Sequence, residues 1–175
     1  MALAVCGPFG ASKEQSSGLY AMKMAERGFV ACAFDPSFTG ESSGEPRRTA
    51  SPDINTEDFL AAVDYLSGLE EVDSEKIGII GICGWGGIAL NAAAADPRIK
   101  ATVASTMYDM CRVNGNGYFD ENDSEEARYV ARKAMAAERT KAVQTGKLTQ
   151  AGGVVDPLPA DAPQFVKDYY DYYKT

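Results

Sequence analysis

The sequence contains no histidine. That removes the side chain that most often serves near neutral pH as general base, proton shuttle or zinc ligand. There are four cysteines, Cys6, Cys32, Cys83 and Cys111, none at a C-x-x-C spacing. A zinc finger or ribbon is thereby excluded, and no metal or other cofactor is expected. The first three lie in or beside strand-like runs and read as reduced thiols of a cytoplasmic protein rather than as disulfides. No apolar run approaches the roughly 20 residues of a membrane-spanning helix. Met1 leads straight into a strand-like run with no basic segment before it, so no signal peptide is expected. Positive charge is scarce: 17 Lys and Arg stand against 25 Asp and Glu, a net charge of -8. With no basic stripe to neutralise phosphate, nucleic acid and anionic membrane are poor partners.

What is present suits one ordinary domain: 175 residues, 45% of them apolar. Ala2-Leu3-Ala4-Val5-Cys6 reads as a buried strand. Gly7 to Ala11 breaks it, and Ser12 caps a helix expected to run to Arg27 with Leu19, Met22 and Ala25 on its apolar face. Phe29 to Phe34 is a second buried strand, which makes a parallel βαβ unit with a right-handed crossover. A long Gly-, Ser- and Pro-rich loop, 35–52, follows. The next helix, capped by Asn55 or Thr56, carries Phe59, Leu60, Ala62, Val63 and Leu66 and stops at Gly68.

Residues 76–90 are the centre of the chain. Lys76-Ile77-Gly78-Ile79-Ile80-Gly81-Ile82 is a continuous apolar run, as in a strand buried on both faces. Cys83-Gly84-Trp85-Gly86-Gly87 interrupts it, and Ile88 to Ala95 is a strong helix former. Strand, sharp glycine turn, helix is the geometry of a nucleophile elbow. Lys100 to Ser105 is a fourth strand. Tyr108 to Asn122 reads as loop with a turn at Asn114-Gly115-Asn116-Gly117, and 123–145 as a polar helix. Gly152-Gly153 and three prolines make a break before a tyrosine-rich terminal helix that includes Tyr169, Tyr170, Tyr172 and Tyr173.

The alternation predicts an α/β fold: a doubly wound, mostly parallel sheet of about four strands, with helices on both faces. Residues 1–110 would form this core and 111–175 a helical cap or lid. The loops 7–11, 35–52 and 83–87 would converge at the carboxyl ends of the strands, where ligands bind on such sheets.

Four segments in this order resemble the dienelactone hydrolase-like branch of the α/β-hydrolases: Gly7 to Gln15, Gly28 to Asp35, Gly40 to Arg47, and Ile79 to Gly87. The resemblance covers about residues 1–110. It implies hydrolysis of a carboxylic ester or lactone by an activated Ser or Cys, with an oxyanion hole of two backbone N–H groups. It also implies the strand order second, first, third, fourth. The family's first two strands, and the strands carrying its acid and His, have no counterpart here, so two open sheet edges would invite pairing with another copy.

The elbow can be aligned two ways. Counted from the strand, Gly81-Ile82-Cys83 places Cys83 in the nucleophile slot, with Gly84 as second oxyanion donor. Counted from the double glycine, the slot falls on Trp85, where relatives carry Ser, and Gly86 is the donor. The second alignment is preferred, because the helix is expected to start after Gly86-Gly87. Phe9 supplies the other donor in either case, since Pro8 has no N–H. An indole is no nucleophile, and without an imidazole an ordinary thiol is only roughly a few per cent thiolate at neutral pH. The chain alone is therefore expected to be inactive. Cys83 also reads as a small buried hydrophobe at a strand end.

Two other classes fit parts of the sequence. A non-catalytic interaction module would keep the sheet and present its edges or cap. A dinucleotide-binding domain would use Gly84-Trp85-Gly86-Gly87-Ile88-Ala89 with Asp109, although that fingerprint belongs at the first strand of its domain.

Overall fold

A computed structural model describes residues 1–149 and 153–174. Gly152 of the glycine break and the side chain of Tyr173 lie outside the described residues. Four strands, β1 (Ala2–Cys6), β2 (Val30–Ala33), β3 (Ile77–Ile82) and β4 (Ile99–Ser105), form one sheet. All pairs are parallel and the order is β2-β1-β3-β4, as the resemblance implies. The helices between them are α1 (Ser16–Ala25), α2 (Pro52–Ser67) and α3 (Gly84–Ala95).

Alternation along the central strands divides the core in two. Ala2, Ala4 and Cys6 of β1 with Ile77 and Ile79 of β3 face one side, where Phe59, Val63 and Leu66 of α2 and Trp85, Ile88 and Ala89 of α3 pack on them. Leu3, Val5, Ile80 and Ile82 face the other side, against Ala21 of α1. A strand whose alternate residues both need burial must be apolar throughout, which is why β1 and β3 are unbroken runs. The α1 side leaves an apolar groove of about 300 Å³ over Leu3, Met24, Phe29, Ile80 and Val103.

Several local expectations change. α1 starts at Ser16 rather than after Ser12, and Leu19 and Met22 point outward, 52% and 51% exposed. Its buried residues are Ser17 and Ala21, small side chains that let the helix lie close to the sheet. α2 starts earlier than expected. Pro52 is its first residue, and Asn55 lies inside the first turn, where its Oδ1 accepts from Ser51 N–H at 2.8 Å. The 108–122 stretch is not all loop. It contains α4 (Met110–Asn116), capped where the Asp109 carboxylate accepts from Arg112 N–H at 2.9 Å, and a short 3₁₀ turn at Tyr118–Asp120.

By contact density the chain divides into Met1–Asn122 and Asp123–Thr175. The second unit holds α5 (Glu125–Thr145) and α6 (Gln164–Lys174). Ser124 caps α5 by accepting from Ala127 N–H, with Glu125 and Glu126 at its positive end. Among the described residues, no helix is long and apolar enough to cross a membrane.

Candidate active site

The strand–helix junction is sharper than the double glycine suggested. β3 ends at Ile82, α3 begins at Gly84, and Cys83 alone makes the turn, at φ 60° and ψ -129°. A left-handed φ is strained for a side-chain-bearing residue and persists only where the surroundings over-determine it. Here they do. Cys83 N–H donates to Ser105 O at 2.8 Å, while Cys83 O accepts from Gly86 N–H at 2.9 Å and Tyr108 N–H at 3.3 Å.

This geometry corrects the preferred alignment. The helix does not wait for Gly86-Gly87, so the tip belongs to Cys83. Trp85 lies in the first turn of α3, 1% exposed, with its ring against Phe59 (centroids 5.6 Å apart), Phe9 (6.0 Å) and Phe34 (6.4 Å). It is a core residue. Gly86 is corrected as an oxyanion donor too, because its N–H is held by Cys83 O. Gly84 N–H, at the first position of α3, makes no backbone hydrogen bond among the described residues.

Phe9 stands beside it. A Cβ on Gly84 would overlap the Phe9 ring and come within 3.0 Å of Met110 Cγ. A Cβ on Gly86 would meet Met107 Cβ at 3.0 Å. The glycines after Cys83 are thus spaces taken up by Phe9 and the 107–110 segment. Asp109, which the dinucleotide reading would use, is engaged as the cap of α4.

Tyr108 and Tyr118 were not singled out by the sequence. Their rings meet edge to face at 6.4 Å. Burial pushes the Tyr118 hydroxyl pKa up, and the neighbouring Tyr108 and Cys83 push it further. The segment that carries both is pinned by Arg112, which forms a bidentate pair with Asp120 at 2.8 and 2.6 Å. The Arg112 guanidinium, helped by Asn116, holds the Asp120 carboxyl down to about 2. Only the fold brings these residues to the elbow, since β4 must end beside β3.

A second cluster ties the β1 and β2 loops together. The Asp35 side chain, 3% exposed, accepts from Lys13 N–H (2.7 Å), Lys13 Nζ (2.9 Å) and Glu41 N–H (3.0 Å). Burial pushes this carboxyl up, but the Glu41 N–H and the two Lys13 groups outweigh it and hold it below the usual carboxylate range. Glu14, Asp35 and Glu41 come close enough to suggest a cation site. The Lys13 ammonium fills it, at 3.0, 2.9 and 2.6 Å from the three carboxylates.

A parallel sheet in the order β2-β1-β3-β4 with a pinned, positive-φ residue between β3 and α3 is a partial α/β-hydrolase fold. Comparison with known proteins narrows this. The family model described as X-Pro dipeptidyl-peptidase (S15 family) matches residues 2–170, and the chain belongs to that family. The uncharacterized protein PA2218 of Pseudomonas aeruginosa is 56% identical over 174 residues, which are 99% of this chain and 46% of that protein. The crystal structure of PA2218 superposes with a TM-score of 0.89 over 98% of this chain and 53% of that one. The uncharacterized protein YcjY of Escherichia coli is 38% identical over 99% of this chain and 56% of its own length. The α/β hydrolase GrgF of a Penicillium, 24% identical, shares the fold at a TM-score of 0.73 over 89% of this chain and 50% of that one. The chain spans about half the length of the curated relatives it matches.

Proposed function

We propose that this protein is a cytoplasmic acyl hydrolase acting on carboxylic esters or lactones, with Cys83 as nucleophile and the N–H groups of Gly84 and Phe9 as oxyanion donors. The observation that carries the proposal is the backbone of Cys83: a strained conformation, held by three hydrogen bonds, at the point where β3 becomes α3. In the step we propose, Cys83 gives its thiol proton to solvent and Sγ attacks the acyl carbon, the carbonyl oxygen taking the negative charge facing the two N–H groups; the adduct then collapses to the thioester as the acyl C–O bond breaks, and the departing oxygen takes a proton from solvent. This chain has no imidazole to activate the thiol or the water that would release the acyl group. It should therefore capture an acyl group slowly and turn over little.

The test is intact-mass spectrometry after incubation with p-nitrophenyl acetate. One acetyl adduct on Cys83, absent in Cys83→Ala, with negligible steady-state release of p-nitrophenol, supports the reading. Labelling spread over Cys111 and Cys32 as readily as Cys83 counts against it. A parallel incubation with Ala-Pro-p-nitroanilide asks whether the peptidase chemistry in the family's description extends to this chain. The rival reading, a non-catalytic module that pairs through its open β2 and β4 edges, requires a stable dimer by light scattering and no Cys83 adduct.

A further inference from the structure

The loops after β1 and β2 enclose a cleft of about 650 Å³, lined among others by Gly10, Thr39, Arg47, Arg48 and Thr49. It lies at the carboxyl edge of the sheet, where ligands bind on parallel folds. Its two arginines do different work. The Arg47 guanidinium donates to Gly40 O at 2.7 Å, to Ser42 O, and to Gly44 O at 3.4 Å, so it is bound up in folding its own loop. The Arg48 backbone is fixed at φ 59° with its N–H on Phe38 O at 2.8 Å. Its guanidinium has no carboxylate or carbonyl partner among the described residues.

The nearby carboxylates are engaged elsewhere. Glu41 is held by Lys13 Nζ at 2.6 Å, and Glu45 Oε2 accepts from Arg47 N–H at 3.1 Å. The walls are also fixed relative to each other, because the buried Asp35 carboxylate binds Lys13 on one loop and Glu41 on the other. A chain of net charge -8 therefore keeps one unpaired guanidinium over a cleft whose walls are already set. The loop backbone is thus ordered before an oxyanion binds, and only the exposed Arg48 side chain has to order around it.

We propose that this cleft is a subsite for an oxyanion, a carboxylate or a phosphate carried by the substrate, with Arg48 as its charged contact and the Thr39 hydroxyl beside it. Gly10 of the cleft follows Phe9, whose ring lies over Gly84. Through Gly10 the cleft borders the loop that carries the proposed Phe9 donor, which makes it a place for the part of the substrate remote from the acyl carbon. That last relation rests on the acyl-hydrolase reading; the binding itself does not.

The test titrates the full chain with inorganic phosphate and, separately, with glutarate, and follows backbone amide shifts by NMR. Saturable binding of either anion is expected, with shifts confined to residues 10–12 and 38–50. Arg48→Gln should weaken it by about tenfold or more and Arg48→Lys should recover part, since a charged contact of this kind carries at least that factor. Whichever anion binds more tightly identifies the group. Cys83→Ala should bind as the unmodified chain does, so a failure of the nucleophile assignment leaves this result untouched. No saturable binding of either anion, or binding that Arg48→Gln leaves unchanged while the variant keeps its melting temperature, overturns the proposal.

Discussion

Replacing Trp85 with serine separates the two alignments of the elbow. If position 85 were the nucleophile slot, Trp85→Ser would supply the serine that the resemblance implies for it, and ester hydrolysis should appear. The structure leads to the opposite outcome. Trp85 is 1% exposed and touches Phe9, Phe34 and Phe59. A buried indole removes roughly 150–250 Å² from water, or about 4–6 kcal/mol at ~25 cal/mol per Å². Truncating a buried Trp typically costs about 3–5 kcal/mol, because the walls relax partly into the cavity. A serine hydroxyl left without a partner there costs about 1–3 kcal/mol more. The variant should thus lose about 4 kcal/mol or more, a fall in melting temperature of ~10–20 °C for a chain of this size. Urea unfolding followed by circular dichroism measures the loss, and a p-nitrophenyl acetate assay checks for gained activity. A stability within about 1 kcal/mol of the unmodified chain, or ester hydrolysis that Trp85→Ser gains over the unmodified chain, would refute the placement of Trp85 in the core.

Two further outcomes follow from the same geometry. Gly84→Ala drives a methyl into the Phe9 ring, so it should cost about 1–3 kcal/mol as overpacking and slow Cys83 acylation by displacing Phe9; unchanged acylation would mean that Phe9 plays no part at the tip. Asp35 has its carboxyl pKa depressed by folding, so its contribution is complete above the unfolded value of about 3.9 and is lost as pH falls through the folded value. Asp35→Asn should therefore lower stability by about 1.5–3 kcal/mol at neutral pH and by progressively less below about pH 4; urea midpoints from pH 7 to pH 3 that run parallel for the two proteins would count against the buried ion pair.

The sequence by itself determined the layer architecture. Short apolar runs at Ala2–Cys6 and Ile77–Ile82, bounded by turn residues, read as strands buried on both faces, and the helical segments between them point to parallel pairing. Four ordered motifs were enough to indicate the hydrolase lineage, because each encodes a local backbone shape at a sheet end. Tertiary structure decided the rest. Which residue of Cys83-Gly84-Trp85 occupies the turn depends on where α3 starts. That in turn depends on Ser105, Tyr108 and the Phe34–Phe59 pocket for the indole, all distant in sequence. A glycine pair looks like a hinge in a string of letters, yet in the fold Gly86 is a first-turn residue lying under Met107. Leu19 and Met22 marked the wrong face of α1 because periodicity reports an apolar stripe and not how closely the sheet approaches it. The Asp35–Lys13 clasp, the Tyr108–Tyr118 pair and the unpaired Arg48 arise from loops that meet only when the strands are in register, and contacts of that kind leave no local pattern in the sequence.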